Sequence, residues 1–443
     1  MRSTRSSTSA LESLPSELFL AVAEHADFES RLALSATNSR YRTFLLPIIF
    51  RTLKVTSDEG EANEVLEFAK KIGANVKAIS FHGTAEPNLN EDEEEENDGD
   101  EQILPLAAAE LLRGQHFPNM TTLIVHFEFD FENNDRSDDG VWDSRDDLSD
   151  GASMYEFPWR RLMAQTWAAA SQNKNISELI VKDLIAKAVS LWFTAQWKTF
   201  LGQISVADIQ IWGGDNGAGW EVGTLEGYMY FVAKMNEYFF DHMGNTKTLR
   251  LSCYEHGPLG SQWTGDEDTM ALRPNCFPQL EHVHLDYVVL CPELVAFLEP
   301  KAATLKSVSL HECFASNQYG TIRLLWADFF TSIRRSEPKW TSFAVTNNHP
   351  PPLTFKEWQA SRYPKEVEEE PAEQEPDHVQ SVRADLAKEP NRRLFYYATL
   401  TDKYGDRWPD TDAIIHHFRA GRDMEEFEKL MDVVGKNYEA ATA

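Results

Sequence analysis

The chain has 443 residues, 42% of them hydrophobic, and a formal net charge of −29 from 71 acidic and 42 basic side chains. Residues 91–101 carry −9, residues 128–150 carry −8 and residues 366–377 carry −7, so only −5 is left for everything else. Such a surface repels nucleic acid, which is bound by clustered Lys and Arg. Apolar runs such as "LFLAVA" and "LLPIIF" fall far short of the ~20 residues that span a membrane. Neither nucleic acid nor membrane is an expected partner.

In chain order, residues 1–12 read as a flexible Ser/Thr-rich tail. Next comes the segment "LESLPSELFLAVAEHADFESRLALSATNSRYRTFLLPIIFRTLKV". Pro15 suits a first helical turn, and Glu17 complements the positive end of the helix. Leu14, Leu18, Val22 and Ala26, flanked by Phe19 and Ala23, give one apolar stripe. A second helix is predicted from Ser30, burying Leu32, Ala33 and Ala36, and a third from Asn38 until Pro47 ends it. Three short helices over 13–52 make too thin a core to stand alone. They need a partner protein, or the rest of the chain, against their apolar side.

Leu14-Pro15-Ser16-Glu17-Leu18, Val22, Leu32, Leu34-Ser35 and Arg40 resemble the F-box, in the form common among fungal F-box proteins. In that family the motif docks on the Skp adaptor of cullin–RING ubiquitin ligases, and the rest of the chain holds the substrate. The resemblance implies adaptor contacts at Leu14, Pro15, Leu18, Phe19, Val22, Leu32 and Leu34.

Beyond Pro47 the apolar period switches to that of strands. The segments read "RTLKV" (51–55), "VKAISF" (76–81), "MTTLIV" (120–125), "ISELIV" (176–181) and "VADIQI" (206–211), followed by "TKTLRL" (246–251), "LEHVHL" (280–285), "LKSVSL" (305–310) and "WTSFAV" (340–345). Each is often led in by an apolar residue three positions earlier. Helix-compatible stretches lie between them, at Glu64–Ile72, Ala107–Arg113, Trp159–Ser171, Leu225–Met243, Glu293–Leu298 and Ile322–Arg334. The last six strands recur at intervals of 25 to 40 residues. Each repeat offers one strand and a variable return, as in a solenoid with a concave parallel sheet. An ordinary α/β domain with a parallel sheet would show similar alternation. The pattern resembles the irregular leucine-rich repeats that commonly follow an F-box in fungi.

The expected fold is therefore α/β: an N-terminal three-helix unit, a leucine-rich-repeat-like solenoid over 53–350 and a C-terminal capping helix. Acidic stretches at 87–101 and 128–150 lack apolar anchors and read as solvated insertions. Residues 351–390 read as an acidic Pro/Glu-rich linker. In 391–443, Met424, Phe427, Leu430, Met431 and Val434 fall on one helical face, which predicts a helix docked on the last repeat. Residues 392–434 also resemble the C-terminal segment of those fungal proteins. Cys253, Cys276, Cys291 and Cys313 are spaced neither for a metal nor for a redox pair, and read as buried thiols in a reducing compartment, cytoplasm or nucleus.

Catalytic motifs are wanting. "WGGDNGAGW" (212–220) lacks the Gly spacing and the Lys of a phosphate cradle, and reads as a turn presenting Trp212 and Trp220 to a substrate protein. No Gly-x-Ser-x-Gly is present. His282, His284 and Asp286 share one face of a strand, and two His with a carboxylate can bind a metal. Their alternation with Val283 and Leu285 is more simply the recognition face of a repeat. His311-Glu312-Cys313 points to opposite faces, and His416-His417 has no evident partners. No catalytic, cofactor or metal residue is expected. The sequence reads as a substrate receptor that binds the Skp adaptor and a protein target, or alternatively as a leucine-rich scaffold with no ligase role.

Overall fold

A computed structural model of the chain describes residues 14–84, 102–128, 158–215, 219–261, 270–318, 321–362, 375–401 and 403–443. The tail and the insertion at 87–101 lie outside these residues, as does the insertion at 128–150 apart from Glu128.

Three helices open the chain: α1 (Ser16–His25), α2 (Phe28–Thr37) and α3 (Ser39–Ile49). The Asp27 carboxylate accepts from Ser30 N–H at the start of α2, and the Asn38 side chain accepts from Tyr41 N–H at the start of α3. Pro47 does not end α3 as expected. The helix runs on to Ile49, which is buried with Leu45, and Phe50 N–H bonds to Leu46 O at 3.0 Å.

All nine segments read as strands form strands, and all nine lie in one parallel sheet. These are β1 (Thr52–Thr56), β2 (Ala78–Thr84), β3 (Thr122–Glu128), β4 (Glu178–Leu184), β5 (Val206–Ile211), β6 (Thr248–Ser252), β7 (His282–Asp286), β8 (Ser307–His311) and, after two short strands β9 (Ala315–Gln318) and β10 (Thr321–Ile322), β11 (Ser342–Thr346). Spatial order follows chain order without reversal. A doubly wound α/β domain would reverse direction in mid-sheet and open a crevice there. This solenoid-like α/β sheet has none.

The register explains the order. Leu53, Ile79, Leu123, Leu179, Ala207, Leu249, Val283, Val308 and Phe343 pair strand to strand, and every one is buried. Val55, Phe81, Val125, Val181, Ile209, Leu251, Leu285, Leu310 and Val345 form a second buried row two residues on. The residues three positions before the first row, from Val76 and Met120 to Leu305 and Trp340, supply a third. Thr246 is the polar member of that third row, and its hydroxyl donates to Ile204 O at 2.9 Å. Backbone bonds between successive repeats begin at this lead-in. Lys77 N–H bonds to Arg51 O, Thr121 to Lys77, Ser177 to Thr121 and so on to Thr341 N–H on Lys306 O, at 2.7 to 2.9 Å.

Helices fill most returns: α4 (Glu59–Ile72), α5 (Leu106–Leu112), α6 (Pro158–Ala170), α7 (Ala195–Gly202), α8 (Glu226–Tyr238), α9 (Pro292–Leu298) and α10 (Trp326–Arg335). The return from β6 to β7 has no helix among its described residues. Trp167, Trp192 and Trp197 pack edge-on or stacked behind the sheet with Phe239, at centroid separations of 4.9 to 6.2 Å. All four cysteines are free and buried, and burial pushes the Cys253, Cys276 and Cys291 thiols up to about 12.

The C-terminal segment from residue 351 departs from expectation. Helices α11 (Phe355–Arg362) and α12 (Asp377–Lys388) occupy the described parts of the 351–390 segment read as a linker, and Val379 and Val382 are buried in the main core. Strand β12 (Tyr397–Leu400) then pairs in parallel with β9 and antiparallel with β13 (Arg407–Pro409). Helices α13 (Thr411–Ala420) and α14 (Arg422–Thr442) follow. As predicted, α14 docks, lying on α10 and β11 with Leu430 and Val434 buried.

Two carboxylates fix that dock. Asp423, buried, accepts from Ala327 N–H at the start of α10 (2.9 Å) and from the Tyr397 hydroxyl (2.8 Å). Glu426 accepts from Lys429 on its own helix and from Arg334 and Thr331 on α10. Those bonds, that of Lys429 first, hold its carboxyl down at about 2. A depressed carboxyl contributes stability above its unfolded value, lost as pH falls through the folded one. Glu426→Gln is therefore expected to destabilise the chain by about 1–2 kcal/mol at pH 7. Urea titrations should show that gap narrowing from about pH 4.5 down towards pH 2.

Candidate protein-binding surfaces

The three N-terminal helices have a small core of their own, separate from that of the sheet. Phe19, Ala23, Tyr41, Leu45 and Ile49 are buried there, with Leu14, Leu34 and Phe44 packed against them. Phe19 stacks on Tyr41 at 4.7 Å with the ring planes 7° apart. Arg31 closes the end of α1: its guanidinium donates to Ala23 O (2.8 Å) and Glu24 O (2.9 Å). The helices meet the body through α3, which touches the 3-10 turn Gly73–Asn75, and through Phe50, whose ring lies edge-on to Phe68.

Seven residues were expected as adaptor contacts, and they separate into two groups. Leu18 and Val22, one turn apart on α1, are each 56% exposed, Leu32 on α2 is 42% exposed and Pro15 is exposed. Phe19 is 2% exposed and so serves the small core rather than a surface, because the side of α1 that carries it faces Tyr41. Leu14 and Leu34 are half-buried beside it. Sequence reasoning missed Phe28, 55% exposed and one turn before Leu32 on α2. Its i, i+4 spacing to Leu32 was the available signal.

The other candidate is the face of the sheet turned away from the core. Its central row is Lys54, Ser80, Ile124, Ile180, Asp208, Arg250, His284, Ser309 and Ala344. From β6 to β8 this face hollows into a cavity of about 590 Å³ lined by Thr248, Arg250, His282, His284, Ser307 and Ser309. The triad read from the sequence is rearranged. One oxygen of Asp286 lies 3.0 Å from His284 Nε2 and 3.0 Å from His311 Nδ1, whereas His282 bonds to the Ser307 hydroxyl at 2.7 Å. The second imidazole at the carboxylate thus comes from the next strand, which register and not sequence proximity brings there. Cys313 is buried, facing the core as expected. Asp208 lies 3.6 Å from Arg250. Burial raises the Asp208 carboxyl although Arg250 opposes it.

The tryptophans expected to meet a substrate sit elsewhere. Trp212 is half-buried against the main core. Trp220 is 39% exposed but lies edge-on to Tyr404 at 6.0 Å, and Glu221 N–H bonds to Tyr404 O at 2.7 Å. The C-terminal segment therefore ties this loop down. His416 and His417 lie on α13, where His417 stacks on Tyr397 at 4.5 Å. Burial lowers the His417 imidazole.

Beneath that segment, Arg407 packs over Tyr287, Phe314 and Tyr396 and pairs with Glu255 (3.2 Å) and Glu312 (3.6 Å). Nearby, Glu221, His256 and Asp406 bring their donor atoms within 4.8 Å of one another. Arg407 N–H donates to His256 Nδ1 at 3.0 Å, so a neutral His256 carries its proton on Nε2. That nitrogen faces Glu221 and Glu255 and has no lone pair to give a metal. The cluster is a structural anchor for the C-terminal strands.

Among the described residues no helix is long and apolar enough to cross a membrane. No protein-family model and no curated protein matches the chain.

The hydrogen bond that the His284 imidazole donates to the Asp286 carboxylate raises it above its ordinary 6.5. The charged pair therefore contributes stability below about pH 6.5, and that contribution fades as pH rises through the folded value. In an NMR titration the His284 midpoint should lie above 6.5, and Asp286→Asn should move it downward. An unchanged midpoint would separate the two groups energetically.

Proposed function

We propose that this chain is a non-catalytic substrate-recognition subunit of a cullin–RING ubiquitin ligase. In this reading α1–α3 form an F-box that binds a Skp-type adaptor, and the sheet is an irregular leucine-rich repeat that holds a protein target. The observation that carries the reading is the separation of roles within the helical trio. Phe19, Tyr41, Leu45 and Ile49 complete a core, while Leu18, Val22, Phe28 and Leu32 leave two apolar i, i+4 pairs in water. A cap that served only its own solenoid would turn such pairs inward, since burying each is worth about 1.5–3 kcal/mol. Apolar residues kept exposed on a thin helical unit are what a partner surface requires.

The second half of the reading rests on the sheet. The side of the sheet turned away from the core offers rows of Ser, Thr, His, Arg and Asp at fixed strand spacing, a polar surface suited to a protein target. A receptor of this kind acts by raising the effective concentration of the target near the ligase.

Binding of the intact chain to a purified Skp-type adaptor tests the reading. Leu18→Asp and Val22→Asp are each expected to weaken it by at least ~10-fold, about 1.4 kcal/mol or more. Helix content by circular dichroism should be unchanged, because both side chains are exposed. Phe19→Ala should instead melt the trio, since a buried Phe truncation costs about 3–5 kcal/mol. No adaptor binding by the intact chain, or full binding by Leu18→Asp, would leave only a protein-binding scaffold.

A further inference from the structure

We propose that the face of the sheet turned away from the core carries a binding site for a divalent transition metal of the zinc class, built by His82, His126, Glu128 and Asp183. His82 on β2 and His126 on β3 are register partners, so their imidazoles leave adjacent strands side by side. The rings stack at 4.9 Å with planes 8° apart. Donor atoms of His82, His126 and Glu128 all lie within 4.8 Å of one another. His82 Nε2 sits 2.8 Å from a Glu128 oxygen, and His126 Nε2 sits 2.8 Å from an Asp183 oxygen.

Asp183 adds a second carboxylate. Strict alternation along β4 would send residue 183 to the core side, because Lys182 pairs with His126 on the face turned away from the core. Instead the β4–β5 register shifts between Val181 and Leu184, and Asp183 adopts φ +50°. A non-glycine residue in that region costs about 1 kcal/mol or more, and bulges of this type re-aim side chains. Here the result is a further donor carried to the His126 imidazole from a third strand.

Two imidazole nitrogens and two carboxylate oxygens make a zinc-type donor set. Magnesium and calcium prefer an all-oxygen shell and are disfavoured. Each Nε2 already faces a carboxylate, so an ion there would displace the imidazole protons and gain two nearby negative charges. His82, His126 and Glu128 already stand close enough to share one ion, and Asp183 would join them through His126. The bound ion would join β2, β3 and β4 through four side-chain donors. This site stands independently of the ligase reading.

The test uses the full chain stripped with a chelator and titrated calorimetrically with zinc chloride near pH 7.5. One saturable site is expected, with a dissociation constant on the order of micromolar. His82→Ala and His126→Gln should each weaken it by about 100-fold and Asp183→Asn by about 10-fold. The pair His416→Ala with His417→Ala and the pair His282→Ala with His284→Ala should leave it unchanged. Cobalt substituted for zinc should give the strong visible absorption of a tetrahedral site. Absence of a saturable zinc site, equal affinity in His82→Ala, or equal binding of magnesium would overturn the proposal. Circular dichroism of each variant keeps loss of binding distinct from loss of fold.

Discussion

The constraint on which this structure depends is that every repeat is stabilised by its sequence neighbour. One strand and its return cannot bury their apolar side alone, so each strand lays two core residues beside those of the previous strand and donates its lead-in N–H to the previous lead-in carbonyl. Eight such steps between nine strands give two unbroken buried rows from Leu53 to Phe343 and from Val55 to Val345. The same alternation that feeds the core supplies the opposite face of the sheet. Between Val283 and Leu285 on the inside stands His284 on the outside, and between Val308 and Leu310 stands Ser309. A sheet without reversal has no crevice at a switch point, which moves any function to its surfaces and its ends.

The ends are treated differently. At the far end the outer edge of β11 is closed. Arg393 donates to Val345 O, Asn437 donates to Trp340 O, and Asp423 caps α10 from α14. Edge carbonyls and an exposed helix start are thereby satisfied within the chain. At the near end the helical trio touches the body through α3 and Phe50 alone among the described contacts, and its two apolar pairs point to water. One end is finished and the other presents an unfinished apolar surface, and that asymmetry gives the adaptor reading its physical content.

Much of this was legible in the sequence, because the signals were local. Period-two alternation located all nine strands of the sheet, and the stripe Met424, Phe427, Leu430, Met431 and Val434 located the docked helix. The losses came where tertiary contact outweighs local chemistry. Pro47 failed to stop α3 because Leu45 and Ile49 hold the last turn in a core. The Pro/Glu-rich character around residue 370 masked α12, whose Val379 and Val382 reach the main core. Strand β12 was invisible because its pairing with β9 spans some 80 residues. At the site, spacing along one strand suggested His282 with His284 and Asp286, whereas the carboxylate is shared with His311 of the next repeat. His82 and His126 went unremarked for the same reason: only the register makes them neighbours.

The central claim is that the N-terminal helices keep an apolar surface for another protein while the sheet is complete in itself. Hydrogen–deuterium exchange of the full chain, with and without a Skp-type adaptor, addresses it most directly. Slower exchange confined to α1 and α2, with the nine strands unchanged, is the predicted result. Unaltered exchange in both helices at saturating adaptor, or protection appearing on the strands instead, would contradict it.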